Sequence, residues 1–169
     1  MKFFSYVAIA YLLCLTVNAY SQSNKLGHIN SAELLQLMPE IKAADSSLQA
    51  YQKTLEDQNQ AMLNEYQTKV TDYQKNEATM PDAVKDVKQQ EIQDLQQRIQ
   101  TFQQTAQDKF QQKKEELYSP ILKKAEDAIK QVAKENSYAY VFDTSAGAVI
   151  YAQDSDDLMP IVKKKLNLK

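Results

Sequence analysis

Few side chains in this sequence are of the types that do chemistry in enzymes. His28 is the only histidine and Cys14 is the only cysteine among the 169 residues. A catalytic base or a metal ligand needs partners at a defined spacing, and no Gly-rich phosphate loop or metal-ligand motif accompanies either residue. We therefore interpret His28 as an ordinary strand residue. The sequence predicts a protein that is not an enzyme and that uses no cofactor and no metal.

Carboxylates near the C-terminal end form the only other cluster that could do chemistry, in this case as a cation site. The four residues are Asp143, Asp154, Asp156 and Asp157. Aspartate at a strand end or a helix start commonly accepts hydrogen bonds from free backbone N–H groups, so we favour turn and cap roles for them. The run Lys163–Lys165 could contact phosphate, but the solvated end of a last helix is the favoured interpretation.

The first 21 residues have the features of a secretory signal peptide. A single lysine precedes an apolar run over residues 6–17, and small residues follow it. Cleavage is expected after Ala19 or after Ser21, which would leave a mature chain without cysteine. The apolar run is shorter than the roughly 20 residues that span a bilayer, which disfavours a retained anchor. The leucine before Cys14 is too large for a bacterial lipobox, which disfavours lipidation.

Residues 40–119 contain no glycine and only one proline, Pro81, and their apolar residues recur in steps of three and four. This spacing predicts two long helices that pack along narrow stripes. The chain is expected to turn near Thr79, with Thr79 and Asp82 forming a capping box. The result is an antiparallel hairpin roughly 55 Å long.

The apolar stripes of the two arms also predict how the arms face each other. With the turn near Thr79, Leu55 faces Phe102 and Tyr73 faces Val84. The same register places Pro39 and Pro120 side by side at the base of the hairpin. The two prolines therefore mark the junction between the hairpin and the rest of the chain.

The flanks of the hairpin, residues 25–39 and 120–169, are predicted to form one small body and to serve as the oligomerisation domain. Its expected elements are a strand and a helix before the hairpin, then a helix, two strands joined by a loop, and a last helix. The strands of the second flank are expected at 138–143 and 148–152, where aromatic and β-branched residues are concentrated. A body of this size has a marginal core, so self-association is expected. The fold class is mostly α with a small β-body.

The order and spacing of these segments resemble the Skp/OmpH family of periplasmic chaperones over essentially the whole mature chain. The segments that carry the resemblance are 25–31, 37–40, the Gln-rich hairpin, 140–143 and 156–160. The resemblance implies a homotrimer around a shared β-core, with three hairpins, called tentacles, that enclose a cavity. It also implies that unfolded outer-membrane proteins are held there without ATP, in the periplasm and in transient proximity to the membrane.

A structural coiled-coil spacer or assembly adaptor of the cell envelope is the alternative function. Nucleic acid is not an expected partner, because the formal net charge is −2. Hairpin residues 40–119 carry ten Lys or Arg against fourteen Asp or Glu, which argues against binding of anionic lipid.

Candidate site residues lie in the hairpin and in the small body. Met80, at the tip, is the leading candidate for client contact, while Met62, Tyr66 and Tyr73 could contact client but are better explained as seam residues between the arms. Candidates for the strands and subunit contacts of the shared body are Ile29, Tyr140, Phe142, Val149 and Tyr151.

Overall fold

The computed structural model describes residues 24–168. The predicted signal peptide, both candidate cleavage sites and Cys14 lie outside the described residues. The elements, in chain order, are β1 (Lys25–Ile29), α1 (Ser31–Leu37), α2 (Pro39–Asn76), a 3-10 turn (Glu77–Thr79), α3 (Asp82–Glu135), β2 (Tyr138–Asp143), a second 3-10 turn (Asp154–Asp156) and α4 (Met159–Lys165).

The long helical hairpin is confirmed. Helix α2 has 38 residues and is therefore about 57 Å long, and it packs antiparallel against α3 from near the start of that helix as far as Lys124. Good helix formers fill both arms, and neither arm contains glycine. Leu95 and Ile99 are buried in the seam between them. The arms therefore project far beyond the rest of the chain as a thin rod.

The tip of the hairpin differs from the prediction. Helix α3 begins at Asp82 with Pro81 as its N-cap residue, and no side chain caps it. The predicted capping box of Thr79 and Asp82 is wrong, because Thr79 still belongs to the preceding 3-10 turn. Its hydroxyl donates a hydrogen bond back to the carbonyl of Asn76, at 3.0 Å.

The register between the arms is shifted by about one helical turn from the predicted one. The Tyr73 hydroxyl accepts a hydrogen bond from the Gln89 amide at 2.6 Å, so Tyr73 does not face Val84. At the base, Glu40 forms an ion pair with Lys124. Pro39 therefore lies beside the turn that follows Pro120, and the two prolines are not side by side.

Helix α3 runs without interruption through Pro120, so the predicted boundary between hairpin and body falls inside a single 54-residue helix. Proline has no N–H to donate to the carbonyl four residues earlier, here that of Glu116. Beyond Pro120 the helix has a broad apolar face, and the buried residues of that face are Ile121, Ala125, Ala128 and Val132.

The body has one core, built from both flanks of the hairpin. Strand β1 pairs with β2 in parallel, with Ile29 opposite Asp143. The Asn30 side chain accepts a hydrogen bond from the Glu33 N–H at 3.1 Å and so caps the start of α1. The core around this sheet consists of Ile29, Leu34, Met38, Ala44, Ile121, Ala125, Ala128, Val132, Leu158, Met159 and Val162.

The predicted strand at 148–152 is absent from this chain. After β2, the Thr144 N–H donates to the Ile29 carbonyl on one side of β1, at 2.9 Å. Further on, Asp157 forms a bridge with His28, and the Leu158 N–H donates to the His28 carbonyl at 2.9 Å. Successive carbonyls of a strand point to opposite edges, so Leu158 lies at the far edge of β1. Residues 145–157 join these two contacts and therefore cross from the β2 side of β1 to its far edge. They do not return along β2 as a hairpin.

Candidate functional site

The side chains that could do chemistry are used to hold the body together. His28 Nε2 lies 3.0 Å from the carbonyl oxygen of Gln153, which can only accept, so the imidazole donates to it. The Asp157 carboxylate accepts a hydrogen bond from the Met159 N–H at 2.8 Å, at the start of α4. Within residues 24–168, no group of three or more histidines, cysteines and carboxylates is arranged to hold a metal ion.

Asp143 closes the end of β2. Its carboxylate accepts hydrogen bonds from the Ser31 N–H at 3.2 Å and from the Ser145 N–H at 2.9 Å, as well as from the Ser31 hydroxyl. Desolvation raises the pKa of this carboxyl, but the hydrogen bonds from Ser31 and Ser145 outweigh it and lower the pKa to about 2. The structure therefore gives Asp143 the turn role that we favoured from the sequence.

The four residues proposed for client contact are placed by the hairpin in its outer half. Met62, Tyr66, Tyr73 and Met80 are each half-buried along the seam. The Tyr73 hydroxyl also donates to the Glu77 carboxylate, at 3.2 Å. Desolvation is the largest cause of the raised pKa of Tyr73, and the hydrogen bond to Glu77 adds to it. These side chains therefore combine packing between the arms with a remaining exposed surface.

Three apolar residues of the outer half are more exposed than those predicted from the sequence. Val87 is 57% exposed, Val84 is 41% exposed, and Leu63 is exposed on the other arm. The predicted register had placed Val84 in the seam, opposite Tyr73. Counting back from Leu95 in steps of three, four and three gives residues 92, 88 and 85, which are half-buried, and this stripe passes between the two valines.

A shallow groove crosses the hairpin halfway along its length. Met62 of α2 and Phe102 of α3 provide its apolar surface, and Arg98, the only arginine of the chain, borders it. The remaining lining residues are polar: Asp94, Gln97, Thr101 and Thr105. The groove joins apolar and polar side chains in one surface that faces solvent.

The second exposed apolar surface lies on the body. In the parallel register Leu26 is opposite Tyr140, so these two side chains share the outer face of the sheet. Tyr140 and Phe142 are exposed there, and Tyr151 is 81% exposed in the following segment. Val149 is half-buried. Ile29 is 2% exposed because it packs in the core of its own chain, which leaves almost none of its side chain for a neighbouring chain.

None of the helices within residues 24–168 combines the length and the apolar composition needed to cross a bilayer.

Comparison with known proteins gives consistent results. A family model described as outer membrane protein (OmpH-like) matches residues 25–166. The chaperone protein Skp of Yersinia enterocolitica is 27% identical over 154 residues, which cover 91% of this chain and 93% of that protein. The crystal structure of an OmpH-like protein from Caulobacter crescentus has the same fold, with a TM-score of 0.72 at 15% identity, covering 85% of this chain and 83% of that one. Because the family model spans most of the sequence, this protein belongs to the Skp/OmpH family.

Proposed function

We propose that the protein is an ATP-independent holdase of the periplasm, which binds unfolded outer-membrane proteins between its hairpins and prevents their aggregation. The family membership and the similarity to a protein named as a chaperone support this proposal. The predicted signal peptide supports the location, because it would direct the mature chain across the inner membrane.

The observation that carries the proposal is the exposure of apolar side chains far out on the hairpin. Val84, Val87 and Leu63 lie on the arms, more than half of which extend beyond the body. An unfolded client offers many apolar segments of different sequence, and such a chain is best held by many weak contacts. Methionine adapts to varied partners, so Met80 at the tip and Met62 in the groove suit the same role.

Self-association is the second part of the proposal. The outer face of the sheet exposes Tyr140 and Phe142, and Tyr151 is exposed close by. An exposed apolar surface on so small a body is typical of a subunit interface. A homotrimer that buries these residues would place three hairpins side by side around a cavity, with the client surfaces of the outer halves directed into it.

The net charge of the hairpin limits which contacts hold the client. Residues 40–119 have four more acidic than basic side chains, ten against fourteen. Several of the basic residues are already paired within the hairpin, as Lys69 is with Glu91 at 2.9 Å. Apolar contacts are therefore the main source of affinity in this proposal, and binding should persist at high salt.

Dilution of an unfolded outer-membrane protein from urea into buffer tests the holdase. The mature protein at a near-stoichiometric ratio should suppress the turbidity of the client without nucleotide, at both low and high salt. Unchanged aggregation in its presence would overturn the proposal. A single folded partner in the cell envelope, with no effect on unfolded chains, would instead support the structural spacer.

A further inference from the structure

The guanidinium of Arg98 has no charged or aromatic partner in the described part of the chain. The side chain is exposed at the border of the groove that crosses the hairpin. Within residues 24–168 it forms no ion pair and stacks on no aromatic ring. The Asp94 carboxylate, one turn earlier on α3, accepts a hydrogen bond from the Gln90 amide instead, at 2.7 Å. The only arginine of the sequence is therefore available to a bound molecule.

The groove beside Arg98 brings together three side chains that each favour an aromatic ring. Its volume is about 690 Å³, and Met62 and Phe102 are its apolar lining. A guanidinium is attracted to the face of a ring, a phenyl group packs against a second ring edge-to-face or offset, and a thioether makes favourable contacts with a ring edge. Met62 and Phe102 are half-buried, so each keeps exposed surface for such a contact.

The charges around the groove disfavour other occupants. A carboxylate bound at Arg98 would approach Asp94, on a hairpin that already has fourteen acidic against ten basic side chains. A lysine would be repelled by Arg98. An aliphatic side chain would cover the guanidinium without replacing the water that it displaces. An aromatic ring carries no net charge and attracts the cation through its quadrupole.

The groove lies on the same face of α3 as the exposed valines of the outer half. Steps of three and four define that face, which carries residues 84, 87, 91, 94 and 98. Between the valines and the groove, the Glu91 carboxylate is paired with Lys69 at 2.9 Å. Val87 and Arg98 are separated by about 16 Å along the helix axis, which an extended segment of about five residues spans. One segment of a client can therefore contact both.

We propose that this groove is a subsite for aromatic side chains of unfolded clients, with Arg98 over the face of the ring and Met62 and Phe102 against its edge. Apolar residues elsewhere in the same client segment would contact Val84 and Val87. The inference rests on the proposed holdase function, and it names the kind of client side chain that the hairpin selects.

Two fluorescein-labelled peptides test the subsite on the complete mature protein. They are uncharged, unstructured and identical except at one position, which holds phenylalanine in one and cyclohexylalanine in the other. Cyclohexylalanine has a similar size and is more apolar, but it has no π-system, so burial alone would favour it. We expect the parent protein to bind the phenylalanine peptide about two- to fivefold more tightly, measured by fluorescence polarisation, which is the range for a cation–π contact at an accessible site.

Replacing the cation should remove this preference. Arg98→Gln should bind the two peptides with equal affinity or favour cyclohexylalanine. Lys114→Gln is the matched control, because Lys114 is also exposed on α3 but lies on the far side of that helix from Arg98. It should keep the preference of the parent protein. An undiminished preference for phenylalanine in Arg98→Gln would overturn the subsite.

The client aggregation assay separates a failure of the subsite from a failure of the holdase. A parent protein that suppresses aggregation but shows no preference for the phenylalanine peptide would overturn the aromatic subsite and leave the holdase intact. A parent protein that neither suppresses aggregation nor binds either peptide would overturn both.

Discussion

The hydroxyl of Tyr118 on α3 donates a hydrogen bond to the Asp45 carboxylate on α2, across the base of the hairpin. This hydrogen bond is the largest cause of the raised pKa of Tyr118. It lies about one and a half helical turns from the ion pair of Glu40 with Lys124. Together these contacts tie the two arms where they leave the body.

Removing this hydroxyl should loosen the base of the hairpin. We expect Tyr118→Phe to lower the free energy of unfolding by about 1 kcal/mol, because the bond is accessible to solvent and its net value is modest. Urea denaturation followed by circular dichroism measures the change. Tyr51→Phe is the matched control, since the Tyr51 hydroxyl makes no hydrogen bond within the described chain. An equal effect of both substitutions would show that the bond to Asp45 contributes nothing specific.

Gly27 should not tolerate even a methyl group. A Cβ atom there would overlap the buried Leu158 side chain and approach the Tyr138 ring to 2.8 Å. Overpacking of this kind costs about 1–3 kcal/mol, so Gly27→Ala should lower the unfolding free energy by that amount. Gly147→Asn is the control, because Gly147 has a positive φ of 70° in open space and asparagine tolerates that conformation. A stable Gly27→Ala protein would mean that β1 and Leu158 can separate at little cost.

The stability of the body should decrease in acid in a way that depends on Asp143. The pKa of its carboxyl is about 2 in the folded chain, below its ordinary value near 4. A lowered pKa means that the ionised form stabilises the fold above about pH 4, and that this contribution is lost as the pH falls toward 2. We expect Asp143→Asn to lower the Tm at neutral pH and to weaken its dependence on pH between 4 and 2.

The control for this experiment is Asp154→Asn, because Asp154 uses its backbone carbonyl and not its carboxylate in the 3-10 turn. Thermal unfolding across that pH range should be the same for Asp154→Asn and the parent protein. Identical pH profiles for Asp143→Asn and the parent would contradict the role of the Ser31 and Ser145 hydrogen bonds.

Replacing the exposed valines of the hairpin should reduce client holding without affecting the fold. We expect Val84→Ser with Val87→Ser to weaken suppression of client aggregation several-fold, with little change in Tm, because both side chains already face solvent. Leu95→Ala is the contrasting variant: Leu95 is buried in the seam, and its truncation should cost about 2–5 kcal/mol. Normal holding by the double variant would place the client surface elsewhere on the arms.

The sequence predicted the helices of this fold better than its strand pairing. Apolar spacing identified both arms, because burial of a stripe is a local property of a helix. The register was missed since it depends on which residues lie at the tip, and Thr79 and Pro81 permit turns that differ by several residues. The strand at 148–152 was inferred from composition alone, whereas the path of the chain is set by the contact of His28 with Gln153.

The candidate residues for client contact were predicted better than those for the subunit interface. The tyrosines and methionines of the outer half follow the helical period, and they lie in that half as expected. Val84 and Val87 were placed wrongly because facing residues were counted from the tip, whereas the stripe counted back from the buried Leu95 passes between them. The burial of Ile29 depends on a core to which the distant residues Ile121, Val132 and Leu158 contribute, and no local pattern in β1 reveals it.

The parallel pairing of β1 with β2 also sets an order of folding. Lys25 is opposite Tyr138, so the sheet closes a loop of about 110 residues, whereas the arms of the hairpin meet close to their own turn. Long loops are costly to close, and local contacts form first. We expect the arms to acquire protection from hydrogen exchange before the sheet does during refolding. A newly synthesised chain would therefore expose its arms to other unfolded proteins before it had a body with which to find its own copies.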